Sequence, residues 1–359
     1  MTPSGVKIDA FEIPDELIDH SVPVLRTAEG IEFVRTPDDR FDGLEGYPFV
    51  PRYLEVDGLR VHYVDEGPAD GPLIVLMHGQ PTWSYLYRTM IPLLVDAGMR
   101  VVAWDNIGFG RSDKPIDPMI HTYLRHVTWF HQIIERLDLV DITLFCQDWG
   151  GVIGLRVVAE DPDRFVRVVA ANTGLIEASA LSTGGEPPIT LPSIAVMGTE
   201  RRGFIEAASA DDPTSMNFRD GFQWWIDFAL HSAYFGVGEF VFATTRGKVS
   251  AEVMAGYDAP FPSFIYQMAP HAFPAMVPTI GDSNAAAWDA LGRFDRPFLY
   301  LGGDFDTIGS RAVQERHTAH IPGAAGQSHE RFAVGHFIQE EMGPVMVERI
   351  LGFIAANPG

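Results

Sequence analysis

Short apolar runs alternate with longer amphipathic stretches over much of this chain. Leu73–Met77 (LIVLM), Arg100–Trp104 (RVVAW), Ile142–Cys146 (ITLFC), Val166–Ala171 (VRVVAA) and Phe298–Leu301 (FLYL) are runs of strand length. Their near-continuous apolar character predicts strands buried on both faces. Helices are predicted over Tyr87–Ala97, Leu124–Leu137 and Val152–Glu160. Strands separated by helices make βαβ units and hence a mostly parallel sheet. Tyr53–Val56 and Leu59–Glu66 flank Asp57-Gly58. That dipeptide suits a tight two-residue turn and predicts an antiparallel hairpin at the sheet edge.

The alternation stops after Thr173. From about Glu177 to Asp282 the chain is rich first in Ser, Gly and Pro, then in aromatic residues and Met. The pattern predicts a helical cap inserted over 177–282. The core domain is then 35–176 with 283–359, and 1–34 form an N-terminal extension. Open α/β sheets bind ligands outside the carboxyl ends of their strands, so an insertion leaving from such an end lies over the site.

Composition narrows the possibilities. At 359 residues, 46% hydrophobic and 21% charged, the chain is globular rather than disordered and long enough for one large α/β domain with an insertion. Its formal net charge of −22 repels nucleic acid and anionic membranes, since affinity for polyanions rests on clustered Lys and Arg. The single cysteine, Cys146, permits no intrachain disulfide and no thiolate cluster for zinc. Met1–Val22 carries Asp9, Glu12, Asp15, Glu16 and Asp19 and lacks the basic start and apolar run of a signal peptide. No stretch approaches the roughly 18 apolar residues of a membrane span. A soluble, cytoplasmic protein is expected, with neither metal nor cofactor.

The chemistry begins where the strand Ile142–Cys146 runs into Gln147-Asp148-Trp149-Gly150-Gly151. Small residues two positions before and two and three positions after Asp148 are the signature of a nucleophile elbow, whose sharp turn exposes its central residue above the sheet. A carboxylate there is ionised at neutral pH and can displace a leaving group from carbon, forming an ester that must then be cleaved. The competing reading of Asp148 is a helix cap. Cleaving an ester needs a base to activate water, and His336 in Val334-Gly335-His336-Phe337 is the candidate. Asp306 follows the strand Phe298–Leu301 and is the preferred orienting acid, with Asp304 as its rival. Ala171-Asn172-Thr173, after the preceding strand, offers no acid. The backbone N–H groups of Gln80, in His78-Gly79-Gln80-Pro81, and of Trp149 are placed to form an oxyanion hole.

Taken together, His78-Gly79-Gln80-Pro81-Thr82-Trp83-Ser84-Tyr85-Leu86-Tyr87-Arg88, Gly108-Phe109-Gly110-Arg111-Ser112-Asp113-Lys114-Pro115 and Gln147-Asp148-Trp149-Gly150-Gly151 resemble the haloalkane dehalogenases of the α/β-hydrolase superfamily. Arg35-Thr36-Pro37-Asp38-Asp39-Arg40-Phe41 and Tyr47-Pro48-Phe49 resemble the start of one subfamily, and the match runs from about Arg35 to the C-terminus. The resemblance implies an α/β-hydrolase fold with a mostly parallel eight-stranded sheet and a helical cap. It implies that Asp148 attacks the carbon bearing the halogen, and that His336, oriented by Asp306, activates water against the alkyl ester. Small apolar halogenated substrate, halide ion and water are the implied partners. Two tryptophans would bind halide: Trp149, and Trp225 in Asp220-Gly221-Phe222-Gln223-Trp224-Trp225, where the alternative is plain cap packing. An indole offers one donor on an apolar body and so binds an anion without hydrating the pocket.

The chain departs from the family at Gln80, where relatives carry another polar residue. It departs also in the length of 177–217 and in Tyr266-Gln267-Met268-Ala269-Pro270-His271, which lacks an expected basic residue. Two other readings stand beside dehalogenation. An epoxide hydrolase uses the same triad with two cap tyrosines, for which Tyr234, Tyr257 and Tyr266 are available; Ala259-Pro260-Phe261-Pro262 and the surroundings of Trp225 favour dehalogenation. A non-catalytic binding protein of the same fold is the third, because fold does not imply function.

Overall fold

The computed structural model describes residues 18–177, 225–226, 228–229, 232, 235–245, 248–306 and 308–358. In chain order the strands are β1 (Leu25–Arg26), β2 (Glu32–Val34), β3 (Arg52–Val56), β4 (Leu59–Glu66), β5 (Leu73–Met77), β6 (Arg100–Trp104), β7 (Lys114–Pro115), β8 (Ile142–Gln147), β9 (Phe165–Ala171), β10 (Phe298–Gly303) and β11 (Glu330–Phe332). Eight of them form one sheet in the order β11-β10-β9-β8-β5-β6-β4-β3. It is parallel from β11 through β6. The hairpin β3–β4 joins it antiparallel at the edge. Asp57 and Gly58 at the hairpin tip have φ of 50° and 73°, the positive pair that a tight turn matched to strand twist requires. A small second sheet pairs β1 with β2 and β2 with β7, so residues ahead of the core are stitched onto it.

The helices are α1 (Ile91–Asp96), α2 (Tyr123–Arg136), α3 (Trp149–Glu160), α4 (Val237–Thr244), α5 (Ala251–Asp258), α6 (Met268–Ile280), α7 (Ala285–Leu291), α8 (Arg311–His320) and α9 (Ile338–Ala356). Two depart from the sequence expectation for clear reasons. α1 starts at Ile91 rather than Tyr87 because Pro92 has no N–H to donate and belongs in a first turn; Ser84–Tyr87 forms a separate 3-10 turn. α3 starts at Trp149 rather than Val152 because the strand turns straight into it, the N–H groups of Gly151 and Val152 donating to the Asp148 carbonyl at 2.9 and 3.1 Å.

Val75, Leu76, Val102, Leu144, Val168 and Leu301 are fully buried along the sheet. Each such side chain contributes about 1.5–3 kcal/mol by leaving water. This rigid platform points its strand ends at one place. The segments after β5, β8, β9, β10 and β11 carry Gln80, Asp148, Asn172, Asp306 and His336 respectively. The described part of the expected cap, around α4, α5 and α6, is helical; 178–224, with Trp224, and Tyr234 lie outside the described residues. No helix among the described residues is long and apolar enough to cross a membrane.

Candidate active site

Asp148 occupies the turn between β8 and α3 with φ 51° and ψ −129°, a backbone state costly for a residue with a side chain and found where a site demands it. The small residues around it have steric causes. A Cβ on Gly150 would stand 2.2 Å from the Met77 carbonyl oxygen, and one on Gly151 2.2 Å from the Thr173 side chain. On the facing loop a Cβ on Gly79 would stand 2.2 Å from Asp148 Oδ1. The turn is fastened by Thr173, whose hydroxyl donates to the Asp148 main-chain carbonyl at 2.6 Å.

The three residues expected to act together are together. His336 Nδ1 lies 2.9 Å from Asp306 Oδ1, and its Nε2 lies 3.4 Å from Asp148 Oδ2. Asp306 is held by the N–H groups of Ile308 at 3.0 Å and Gly309 at 2.7 Å. Asp304 faces elsewhere: its side chain is exposed and pairs with Arg331 at 2.9 Å and Arg311 at 3.1 Å. Asp148, Asp306 and His336 are all buried. Burial alone drives an imidazolium to lose its proton, but the carboxylates of Asp306 and Asp148 outweigh it and raise His336 to about 10.

Gln80 donates its backbone N–H to Asp148 Oδ1 at 2.7 Å, and its side-chain amide to the Pro270 carbonyl of α6 at 2.9 Å. The loop is positioned from below: the Asn106 N–H donates to His78 Nε2 at 2.9 Å, and His78 Nδ1 donates to the Gly79 carbonyl at 2.8 Å. Trp149 packs edge-on to Phe273 of α6, ring centroids 4.9 Å apart. Trp225 stacks on Phe240 of α4 at 4.5 Å; Phe240 in turn meets Phe337 at 5.8 Å, and Phe337 meets the His336 ring at 4.8 Å. Trp225 is thus placed on the cap side of the histidine loop. Tyr257 is committed to the core, its hydroxyl donating to Glu340, and Tyr266 is buried.

Two contacts were not legible as such. Asn172, in the stretch read only for its lack of an acid, donates to the carbonyls of Gly335 and His336. Gln147, read only as part of the elbow, places its side-chain nitrogen 3.0 Å from His336 Nε2. The available signal was an amide side chain at each of two adjacent strand ends, which says nothing of its partner. Among the described residues no group of three or more His, Cys, Asp or Glu is arranged to hold a metal.

The α/β-hydrolase fold family matches residues 72–196. A haloalkane dehalogenase of Mycobacterium marinum is 47% identical over 333 residues, covering 90% of this chain and 100% of the relative. Haloalkane dehalogenase 1 of Mycobacterium tuberculosis is 47% identical over 337 residues, 91% of this chain and 100% of the relative. Among solved structures, the tetrameric haloalkane dehalogenase DpaA from Paraglaciecola agarilytica NO2 superposes with a TM-score of 0.72 at 31% identity, covering 90% of this chain and 98% of that one. Sheet order and elbow define an α/β hydrolase. At this identity over nine-tenths of its length, the chain belongs to the haloalkane dehalogenase family.

Proposed function

We propose that the chain hydrolyses the carbon–halogen bond of small apolar haloalkanes, with Asp148, His336 and Asp306 as nucleophile, base and orienting acid. The observation that carries the assignment is the asymmetry of the Asp148 carboxylate: Oδ1 is tied to the Gln80 N–H, while Oδ2 faces His336 Nε2. Oδ2 is therefore the attacking oxygen. It forms a bond to the carbon as the carbon–halogen bond breaks, and the halide leaves with the electron pair. Oδ1 becomes the ester carbonyl oxygen, already seated against the N–H that stabilises it as an oxyanion. His336 then takes a proton from water as the water oxygen adds to the ester carbon. Collapse releases the alcohol and restores the carboxylate, with one proton in net excess.

Esterification also prepares the base. It removes the charge of Asp148, one of the two carboxylates holding the proton on His336, so the imidazole becomes more readily neutral when a base is needed. The backbone N–H of Trp149 completes the oxyanion hole. The indoles of Trp149 and Trp225 receive the halide, and the described helices α4 to α6 of the segment 177–282 serve as part of its cap. The same reading places the enzyme in the cytoplasm, on its lone buried cysteine.

The test is a panel of terminal bromo- and chloroalkanes beside matched terminal epoxides, with halide and diol both measured and Asp148→Ala as control. Halide release abolished in the variant is the expected result. Diol without halide would transfer the assignment to epoxide hydrolysis.

A further inference from the structure

Gln147 is fully buried, one residue before the nucleophile. Its side-chain nitrogen lies 3.0 Å from His336 Nε2 and also donates to the His336 main-chain carbonyl at 3.3 Å. The second contact fixes which way the amide faces, because turning it over would set Oε1 against that carbonyl, oxygen against oxygen. An amide N–H is thereby aimed at the one ring nitrogen that has to accept a proton from water. That contact favours a neutral imidazole carrying its hydrogen on Nδ1, where Asp306 accepts it at 2.9 Å, against the charged form that the Asp306 and Asp148 carboxylates favour. An imidazolium would bring two N–H groups head to head.

We propose that Gln147 is a positioning residue for the base, holding His336 in its neutral Nδ1–H form during hydrolysis of the ester. Resting on the dehalogenation reading, this assigns Gln147 to the second half of the reaction and not the first. In the free enzyme two forces oppose each other at Nε2: the Asp148 carboxylate favours a proton there, and the Gln147 amide disfavours it. When Asp148 becomes an ester, the first force disappears and the second remains. The nearby charge of Glu341 is engaged elsewhere. Glu341 of α9 accepts the Gly335 N–H at 2.6 Å and is paired with Lys248 at 2.5 Å. From α4 the neutral Thr244 carbonyl accepts the His336 N–H at 3.3 Å and the Phe240 ring meets Phe337.

Nitrogen-15 NMR titration of His336 reads the effect without substrate, so it is independent of halide release. In Asp148→Ala, which lacks the nucleophile's charge as the ester does, adding Gln147→Met is expected to raise the His336 titration by about one pH unit, about tenfold in proton affinity. Gln147→Glu, similar in size but presenting an acceptor, is expected to raise it further and serves if the Met variant does not fold. In single turnovers of the Asp148-containing enzyme with 1-bromohexane, Gln147→Met is expected to slow alcohol formation about tenfold near neutral pH and the bromide burst much less. The acid limb of alcohol formation should move upward with it. A His336 titration unchanged by both substitutions overturns the proposal, as does equal slowing of burst and hydrolysis with no movement of the pH limb.

Discussion

Asn172 holds the histidine loop from the neighbouring strand end: its side-chain amide donates to the His336 carbonyl at 2.8 Å and the Gly335 carbonyl at 3.0 Å, while its Oδ1 accepts the Gly303 N–H at 2.7 Å. One buried side chain thus ties the ends of β9 and β10 to the base. Its φ is 46°, a state that Asn tolerates better than most residues. Asn172→Ala deletes three hydrogen bonds, strands the buried Gly335 carbonyl and Gly303 N–H, and keeps the unfavourable backbone. A stability loss of about 2–4 kcal/mol is expected, measured by denaturant unfolding. Halide burst should outlast turnover, because the displaced group is the proposed base and not the proposed nucleophile.

How far such contacts were legible beforehand depends on range. The strands β5 and β6, the hairpin turn and the elbow follow from local pattern, since a strand buried on both faces and a turn needing positive φ each leave a mark in a few residues. The nearness of Asp148, His336 and Asp306 was legible because the expected chemistry asks for these residue types at the strand ends. Helix starts slipped where a local rule outranked periodicity, Pro92 at α1 and the elbow at α3. The amides of Asn172 and Gln147 were not legible at all, because each acts on a loop more than 150 positions away that only the sheet order brings near.

Gly79 makes a sharper test of the nucleophile's seat. Any side chain there collides with Asp148, the proposed nucleophile, whose Oδ1 would stand 2.2 Å and whose Cβ 2.4 Å from the added carbon. Gly79→Ala is expected to force the Gly79 loop and Asp148 apart, because the Asp148 Cβ at 2.4 Å cannot rotate out of the way, and to lose about a hundredfold in kcat/KM, the scale on which ångström displacements act. Circular dichroism beside steady-state halide release separates the outcomes. Wild-type activity in a folded variant would mean that the carboxylate does not react from this position.

His336 links pH to stability with a definite sign. Burial opposes its charge, but Asp306 and Asp148 raise it to about 10, above the ordinary histidine value of 6.5. A group whose folded value is raised binds protons more tightly in the native state, so its contribution is complete below about pH 6.5 and fades as pH rises through about 10. The stability advantage of the wild type over His336→Gln is therefore expected to shrink between about pH 7 and 10. Thermal melts of the two proteins across that window, if parallel, would exclude a charged His336 in the resting enzyme.

Helix α5, in the expected cap, is joined to α9 and to the loop before α1 through a buried carboxylate. Glu340, in the first turn of α9, binds Arg88 of the core at 2.8 Å through Nη2 and accepts the hydroxyl of Tyr257 in α5. Arg88 lies over the Tyr85 ring at 4.3 Å, and Trp83 donates to the Gly256 carbonyl at 3.2 Å. Because Glu340 and Arg88 are both buried, removing one strands the other. Arg88→Met is expected to cost about 3–5 kcal/mol, and Tyr257→Phe, which removes a single hydroxyl from a charged acceptor, about 1.5–3 kcal/mol. Hydrogen exchange distinguishes where the loss falls. Tyr257→Phe should speed exchange in α5 while β5 and β8 keep their protection, because the bond it breaks joins α5 to α9 and leaves the ladder between those strands intact. Uniform acceleration across all three would instead make the cap part of a single cooperative unit, and the Glu340 network a support of the whole fold.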